Sequence, residues 1–384
     1  MSSAGMNQIV VVGGSIAATT AAQALRVQGF EGAITLLSDE SHPPYSRVPL
    51  SKGVLAGRET PESAWLPALA DDVAVRLNAT VARLHPERRC VELSDGDDVR
   101  YDGLVIATGA RARRLARPGQ RGERVVRTVD DAVELAGTLQ GARSAIVIRA
   151  GFLGMEVAST CRGLGLDVTI IDRDPPLRRL LGPWLAEMVT AAARDAGVRF
   201  VQALDGVALQ GDPEIGAVLC GDQVLCADVV VSAVGDLPNV EWLADSGLPV
   251  NGGLVVDERC RVAPHIVAAG DVTATRLHGE LYRRSPHWTN AVQQGATAAA
   301  ALIHGDSATP PVFDPYYWTE QFGLDVKISG EIPQDAPPTV LAGAVRERSV
   351  LLQWQREGRP VASASVNHRM PIVKLKRLGA HAPA

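Results

Sequence analysis

The apolar stretch Gln8–Val12, near the start of the chain, predicts a buried strand. A helical pattern follows from about Ala17 to Gln28, Gly29 ends it, and a second apolar stretch, Ala33–Leu37, predicts another strand. Strand, glycine-containing turn, helix and strand in this order are typical of sheets that bind dinucleotides. The first forty residues therefore predict a nucleotide-binding β-α-β unit.

A second β-α-β unit is predicted between Ser144 and Asp172. Its first strand is Ala145–Ile148, its helix covers Gly154–Leu164, and its second strand, Asp167–Ile171, ends at Asp172. Two such units in one chain suggest two nucleotide cofactors that exchange electrons.

The rest of the chain continues an α/β pattern. The apolar strand within Gly103–Ala110 is expected to be buried on both faces, as in a parallel sheet. Other predicted elements are strands at Val73–Leu77, Cys90–Leu93, Asp228–Ala233 and Ile266–Asp271, a helix beginning near Trp184, a helix at Asn290–Ile303 and a turn at Gly235–Asn239. After the proline-rich break at Thr309–Pro311, a C-terminal α+β domain is predicted from strands at Asp325–Ile328, Thr339–Leu341, Val350–Gln355 and Val361–Val366.

The first turn departs slightly from the dinucleotide fingerprint G-x-G-x-x-G. Gly13 keeps the first position, while Ser15 and Ala18 replace the second and third glycines. Serine still exposes its backbone amide and its side chain is small, so we expect a pyrophosphate to bind at the start of the helix. Asp39 or Glu40, after the second strand, is expected to hold a ribose hydroxyl.

The second turn has a larger departure, because Arg149 stands where the first glycine is expected. Gly151 and Gly154 keep the other two positions, and Asp172 is expected to accept from a ribose 2′-hydroxyl, which favours NADH over NADPH. Arg173 could instead contact a 2′-phosphate or lie on the surface, so the preference stays open. Arg149 itself has three interpretations: it binds the pyrophosphate, it fills the cleft and abolishes nicotinamide binding, or the backbone rearranges around it without consequence.

Composition excludes several classes of function. The 384 residues include 38 basic and 43 acidic side chains, a net charge of −5, so no basic field for nucleic acid is expected. No apolar run reaches the roughly 18 residues of a membrane span, and the first residues carry no charged segment typical of a secretory signal. We expect no membrane partner and a cytoplasmic location.

The five cysteines, Cys90, Cys161, Cys220, Cys226 and Cys260, include no C-x-x-C pair. A disulfide framework, a metal or iron–sulfur site and a redox-active dithiol are therefore not expected.

The chain resembles the FAD-dependent ferredoxin reductases, which supply electrons to cytochrome P450 and aromatic-ring oxygenase systems. The motifs that carry the resemblance extend over essentially the whole chain, in the order VVVGGSIA, PPYSRVPLSK, LVIATGA, RTVDDA, IRAGFLGMEVA, VTIID, AVGDLPN, VAAGDV, HWTNAVQQG and YYWTEQFG. The resemblance implies an α/β fold with two Rossmann-like dinucleotide-binding domains of glutathione-reductase type plus a C-terminal α+β domain. The implied domains are residues 1–112 and 237–308 for FAD, 113–236 for NAD and 309–384 at the C-terminus.

The resemblance also assigns site residues. Those implied for FAD are Gly13, Gly14, Ser15, Ala17, Asp39, Glu40, Arg47, Lys52, Val81, Ala107, Thr108, Gly109, Arg127, Asp271 and Trp288. Those implied for NAD are Gly151, Phe152, Leu153, Gly154, Asp172 and Gly235. Lys52 and Glu156 are the implied catalytic pair, which in the family meets beside the flavin N5; an ordinary turn lysine and a helix-start glutamate would explain the same residues.

The implied cofactors are FAD and NADH, and the implied partner is an iron–sulfur ferredoxin, with a P450 or oxygenase beyond it. Because ferredoxins are usually acidic, a basic docking patch is expected, with Arg283, Arg284, Lys374, Lys376 and Arg377 as candidates. Two alternatives remain. One is a diverged flavin-dependent tailoring enzyme whose nicotinamide binding is impaired by Arg149, and the other is a redox-responsive binding module similar to apoptosis-inducing-factor relatives.

Overall fold

The computed structural model describes residues 5–278, 281–311 and 315–379. The chain divides into two compact units. The first comprises residues 1–46, 65–111 and 236–313, and the second comprises residues 47–64, 112–235 and 314–384.

The helices, in chain order, are α1 (Ile16–Val27), α2 (Val129–Leu139), α3 (Phe152–Gly163), α4 (Arg178–Asp195), α5 (Trp288–His304) and α6 (Ile372–Gly379). The strands are β1 (Gln8–Val12), β2 (Ala33–Leu37), β3 (Val73–Arg76), β4 (Val81–His85), β5 (Cys90–Leu93), β6 (Asp98–Arg100), β7 (Gly103–Ile106), β8 (Ala110–Ala112), β9 (Glu123–Arg124), β10 (Ser144–Ile148), β11 (Asp167–Asp172), β12 (Arg199–Gln202), β13 (Val207–Gln210), β14 (Ala217–Cys220), β15 (Gln223–Cys226), β16 (Val229–Ser232), β17 (Asp236–Pro238), β18 (Leu254–Val256), β19 (Arg261–Ala263), β20 (Ile266–Ala268), β21 (Thr273–His278), β22 (Leu281–Arg283), β23 (Tyr316–Gln321), β24 (Leu324–Gly330), β25 (Thr339–Ala344), β26 (Ser349–Arg356) and β27 (Arg359–Val366).

The first unit is built on a sheet with strand order β19-β20-β7-β1-β2-β3, parallel except at its β19 edge. All four residues of β7 are buried, which confirms the expectation for that strand. Helices α1 and α5 pack together closely, since a Cβ built on Gly295 would lie 2.7 Å from the Ala17 carbonyl oxygen. The sheet therefore places β1 between β2 and β7, with α1 starting at the carboxyl end of β1.

The second unit contains a parallel sheet with strand order β12-β11-β10-β16-β9. Strand β10 lies between β11 and β16, as β1 lies between β2 and β7. The carboxyl ends of β10 and β16 thus form a topological switch point, where dinucleotides bind in sheets of this kind. The same unit contains an antiparallel sheet, β23-β24-β27-β26-β25, against which α6 packs.

The helix expected to begin near Trp184 is confirmed as the continuous part of α4, since the backbone is not helical at Gly182 (φ 65°) and the helix runs on from Pro183. A short helical segment from Arg178 precedes it. Two other predicted elements need correction. The segment expected to be a turn, Gly235–Asn239, contains the strand Asp236–Pro238 instead. Extended backbone is favoured there because the Asn239 amide donates to the Gly109 carbonyl at 3.0 Å.

Helix α5 also begins earlier than predicted, at Trp288 instead of Asn290. The His287 side chain caps it by accepting from the Asn290 amide at 3.1 Å. Burial lowers the pKa of His287, which keeps the ring neutral and able to accept this bond. Histidine is not a usual capping residue, and this explains the missed start.

In the part of the chain that the structure describes, no helix combines the length and apolar character needed to cross a membrane.

Candidate functional site

The turn after β1 leaves no room for a side chain at Gly13. A Cβ built there would lie 2.1 Å from the Ala107 carbonyl oxygen, and φ is +129°. The Gly13 amide donates to the Leu37 carbonyl, and the Ala107 amide donates to the Val12 carbonyl, each at 2.8 Å. Because bonds from both neighbouring strands fix the turn, this position requires glycine.

The start of α1 presents small residues and backbone amides. Ser15 is the N-cap, but its Oγ donates to the Tyr45 carbonyl at 3.1 Å and makes no capping bond. Ala17 is buried, and a Cβ on Gly14 would lie 2.3 Å from the Ser38 Oγ at the end of β2. Helix-start amides and the helix dipole favour an anion, so the residues here fit a pyrophosphate.

The two acids after β2 differ in their surroundings. Asp39 is exposed, whereas Glu40 accepts a hydrogen bond from the Tyr45 hydroxyl. The Ala79 amide donates to the Ser38 carbonyl at 2.7 Å, which brings the segment leading to Val81 beside the end of β2. Asp39 is the more accessible candidate for a ribose hydroxyl.

The turn after β7 contains Ala107, Thr108 and Gly109. Thr108 Oγ1 donates to the Asn239 carbonyl and its own carbonyl accepts from Asn239 Nδ2, both at 2.9 Å. Gly109 has φ +63°. A reciprocal pair of bonds therefore fixes this turn, near the turn that contains Gly13.

Asp271 follows Gly270, where a built Cβ would lie 2.9 Å from the Ala17 Cβ, so Asp271 is placed near the start of α1. Trp288, the first residue of α5, is 38% exposed. Arg284 is engaged internally: it donates to the Asp271 carbonyl and pairs with Asp236 at 2.7 Å, with 18% of its side chain exposed.

Arg284 is therefore engaged within the first unit, and most of its side chain is buried. Arg283, Lys374 and Arg377 are exposed. Lys376 lies over the Tyr316 ring, 5.8 Å from its centre.

The second turn keeps the same backbone bonds with Arg149 in the glycine position. The Arg149 amide donates to the Ile171 carbonyl at 2.7 Å, and the Ala233 amide donates to the Ile148 carbonyl at 3.0 Å. Its φ is +83°, in the left-handed region that residues with a Cβ rarely adopt. The exposed side chain reaches the next strand end, where Nη1 donates to the Val234 carbonyl at 3.2 Å.

The helix start behind this turn retains the expected glycines. A Cβ on Gly154 would lie 1.9 Å from the Arg149 carbonyl oxygen, so glycine is required for α3 to approach the turn. Around Gly151, the N-cap, a Cβ would meet nothing within 4 Å. Phe152 and Leu153 form the partly buried first turn of α3. A glycine beside open space at a helix start fits a nucleotide pyrophosphate.

Asp172 ends β11, and its carboxylate is partly engaged by the turn. Oδ2 accepts from the Ala150 amide at 2.7 Å, and Oδ1 accepts from the Asp174 amide at 3.3 Å. Each carboxylate oxygen can accept a further bond, so Asp172 remains a candidate for a ribose hydroxyl. Gly235, with φ +95°, is exposed beside the Arg149 side chain.

Lys52 and Glu156 meet in the second unit. Lys52 Nζ lies 2.8 Å from Glu156 Oε2, and the two side chains are 16% and 8% exposed. Lys52 Nζ also donates to the Val48 carbonyl at 3.2 Å, so these two bonds use two of its three N–H groups. The structure thus brings Lys52 and Glu156 together as a largely buried ion pair.

Two residues that the sequence analysis missed hold Glu156 in place. Ser51 Oγ donates to Glu156 Oε2 at 2.6 Å, and Thr319 Oγ1 donates to Glu156 Oε1 at 2.7 Å. Gln321 Nε2 in turn donates to Thr319 Oγ1 at 2.8 Å. The YYWTEQFG motif was the available signal, because Thr319 and Gln321 alternate on one face of β23. Three donors, from Ser51, Lys52 and Thr319, therefore hold this one buried carboxylate.

Arg47 and Arg127, both assigned to FAD by resemblance, lie together. Arg47 Nη1 donates to the Arg127 carbonyl at 2.6 Å. Arg127 directly precedes the capping box of α2, in which Thr128 and Asp131 bond reciprocally.

The cysteines are all free thiols. Cys226 is exposed, and the other four, Cys90, Cys161, Cys220 and Cys260, are buried. Burial raises the pKa of Cys161 and of Cys260 to about 12, which makes both poor nucleophiles. Within the described ranges, no group of three or more histidine, cysteine or acidic residues could hold a metal ion.

The fold and these two turns define a protein with two dinucleotide-binding sheets and a C-terminal antiparallel sheet. A family model described as pyridine nucleotide-disulphide oxidoreductase matches residues 7–295, and one described as reductase C-terminal matches residues 316–383. The chain belongs to the pyridine nucleotide-disulphide oxidoreductase family and has its reductase C-terminal domain.

Among curated relatives, the chain is 31% identical over 382 residues to the 3-phenylpropionate/cinnamic acid dioxygenase ferredoxin–NAD(+) reductase component of Photorhabdus laumondii, covering 96% of this chain and 95% of that protein. It is 36% identical over 354 residues to rhodocoxin reductase of Rhodococcus erythropolis, covering 88% and 81%. Among solved structures, the covalent putidaredoxin reductase–putidaredoxin complex matches with a TM-score of 0.84 and 29% identity, covering 97% of this chain and 92% of that one. These matches confirm the fold class and the family resemblance.

Proposed function

We propose that this protein is an NADH-dependent ferredoxin reductase that contains FAD. One NADH would reduce two molecules of an iron–sulfur ferredoxin, yielding NAD⁺ and a proton, and the ferredoxin would serve a cytochrome P450 or a ring-hydroxylating oxygenase. Support comes from relatives named as the reductase components of dioxygenase systems and as a rhodocoxin reductase.

The observation that carries the proposal is the largely buried ion pair between Lys52 and Glu156, in which Glu156 lies on α3, the helix that starts at the second dinucleotide turn. FAD, when bound, would accept a hydride and release electrons singly. Lys52 would provide a positive charge and an N–H donor to the flavin ring. Glu156 would fix the direction of that ammonium group, and Ser51 and Thr319 would hold the carboxylate.

The arrangement of the cysteines is consistent with electron transfer that uses no cysteine pair. The five cysteines are free thiols and include no C-x-x-C pair, so we propose no step through a redox-active dithiol. Free thiols are also typical of a reducing compartment, which supports the cytoplasm as the proposed location.

The cofactors are assigned to the two turns. We assign FAD to the turn after β1, with Gly13, Ser15 and Asp39 as its principal contacts, and NADH to the turn after β10. Asp172 supports NADH over NADPH, because a carboxylate at the ribose repels a 2′-phosphate.

The test is anaerobic steady-state reduction of an iron–sulfur ferredoxin from a dioxygenase system, followed by its visible spectrum. The native protein should reduce two ferredoxins per NADH. Lys52→Met should slow flavin reduction at least about ten-fold. Lys327→Met should not, since Lys327 is a partly buried lysine on β24 that pairs with Asp325. Equal rates for both variants would remove Lys52 from the mechanism. If NADH reduces the flavin but the ferredoxin stays oxidised, ferredoxin is not the electron acceptor.

A second candidate function is a flavoenzyme that no longer uses a nicotinamide. The observation in its favour is the Arg149 side chain, which crosses from the end of β10 to the Val234 carbonyl. If that side chain blocks the cleft, Arg149→Gly should create NADH-dependent flavin reduction that the native protein lacks.

A further inference from the structure

Arg149 adds one cation to an otherwise intact dinucleotide turn. Its backbone amide keeps the bond to the Ile171 carbonyl, and its carbonyl still packs against Gly154. The Arg149 φ of +83° lies in the left-handed region, which is strained for a residue with a Cβ and free for glycine. The fold accommodates this backbone geometry, so what distinguishes the turn is the side chain.

The guanidinium lies at the switch point of the parallel sheet. Nη1 donates to the Val234 carbonyl at 3.2 Å, and a Cβ built on the adjacent Gly235 would lie 3.4 Å from the same nitrogen. The side chain thus extends from the carboxyl end of β10 to that of β16. A dinucleotide in this kind of sheet crosses the same strand ends, with its pyrophosphate at the helix start.

The guanidinium is weakly engaged by the protein. It is exposed, and within the described residues its one hydrogen bond is to a neutral carbonyl and it has no ion-pair partner. The nearby acid Asp172 has both carboxylate oxygens engaged by backbone amides, at 2.7 and 3.3 Å. A guanidinium has five N–H donors in a planar fork, a shape that matches two phosphate oxygens.

We infer that the Arg149 guanidinium binds the pyrophosphate of the pyridine dinucleotide, exchanging the Val234 carbonyl for phosphate oxygens when the dinucleotide enters. The inference rests on the proposed function, since both require a dinucleotide at this turn. Arg149 would then be a specificity residue: it favours donors that carry a pyrophosphate over donors that do not, and it makes binding depend on ionic strength.

The experiment measures binding and not turnover. Calorimetry on the FAD-loaded protein would compare ADP-ribose, which has a pyrophosphate and no nicotinamide, with AMP, which has a single phosphate. Arg149→Met removes the charge and keeps a Cβ and similar length. Arg143→Met is the matched control, because Arg143 is exposed just before the opposite end of the same strand, β10.

The inference predicts that Arg149→Met weakens ADP-ribose binding roughly ten-fold or more, weakens AMP binding less, and flattens the salt dependence, while Arg143→Met changes none of these. Unchanged ADP-ribose affinity would overturn it, as would absence of binding to the native protein. Tighter binding by Arg149→Met would also overturn it, since the side chain would then be an obstruction.

These outcomes are separate from those of the proposed function. ADP-ribose binding that depends on Arg149, without flavin reduction by NADH, would keep the inference and reject the reductase. Flavin reduction by NADH with unchanged ADP-ribose affinity in Arg149→Met would keep the reductase and reject the inference.

Discussion

The two dinucleotide turns share one backbone plan but differ in which position must be glycine. After β1, the first position is fixed by close approach, since a Gly13 Cβ would lie 2.1 Å from the Ala107 carbonyl oxygen, while Ala18 occupies the third position. After β10, the third position is fixed, since a Gly154 Cβ would lie 1.9 Å from the Arg149 carbonyl oxygen, while the first carries an arginine. A fingerprint glycine is therefore required only where backbone meets backbone.

The largest expected effect comes from giving the first turn a side chain. Gly13→Ala should abolish FAD retention, because the added Cβ would overlap a carbonyl oxygen. The positive φ alone costs alanine about 1–2 kcal/mol, and the free energy of unfolding should fall by more than this amount. Flavin content after purification and thermal unfolding measure this.

Gly29→Ala is the control, since Gly29 has φ +83° but a Cβ there meets nothing within 4 Å. Gly29→Ala should keep FAD, and its free energy of unfolding should fall only by the strain that the positive φ imposes on alanine. Equal damage from both variants would show that φ, and not the close approach, makes Gly13 necessary.

Gly154→Ala tests whether the two turns bind different cofactors. The added Cβ would push α3 from the Arg149 carbonyl, so pyridine dinucleotide binding should be lost and the protein destabilised by about 1–3 kcal/mol. FAD should be retained, as its proposed turn is untouched. Calorimetry with ADP-ribose and the flavin spectrum test both parts. Loss of FAD together with ADP-ribose binding would contradict the assignment of separate cofactors to the two turns.

Glu156 lies near the start of α3, and the side chains that hold it should affect the rate of flavin reduction. Thr319→Val removes the donor to Glu156 Oε1 and should slow flavin reduction by NADH roughly ten-fold. It should also shift the flavin midpoint potential, whereas Thr319→Ser should restore both.

Ser365→Ala, at a buried serine on β27 of the same sheet, controls for general damage to that sheet. A Thr319→Val protein with native rate and potential would show that Thr319 has only a structural role.

The smallest expected effect concerns His287, the N-cap of α5. Burial lowers the pKa of His287 below its ordinary value, so the unfolded chain binds this proton more readily than the folded one. The capping contribution should be complete above about pH 6.5, the unfolded value, and should decline as the pH falls below it. His287→Asn, a cap that does not titrate, should reduce that decline in thermal unfolding experiments. An identical decline in both proteins would show that other groups cause it.

The sequence was sufficient for the two β-α-β units, because their strands are continuous apolar runs and their turns carry glycines. The family motifs also predicted that Lys52 and Glu156 meet, and the structure confirms that they form an ion pair. Ser51 and Thr319 lie in the quoted motifs but were not assigned a role, because nothing in the local sequence shows which carboxylate they approach, 105 and 163 residues away. The start of α5 was missed because a buried neutral histidine replaces the usual capping residue.

The most direct test of the account is anaerobic titration of the FAD-loaded protein with NADH. We expect one equivalent of NADH to bleach the oxidised flavin absorbance within minutes, and subsequent addition of oxidised ferredoxin to restore it. Flavin absorbance that stays unchanged over minutes with stoichiometric NADH would contradict the central claim that this chain transfers electrons from NADH to FAD.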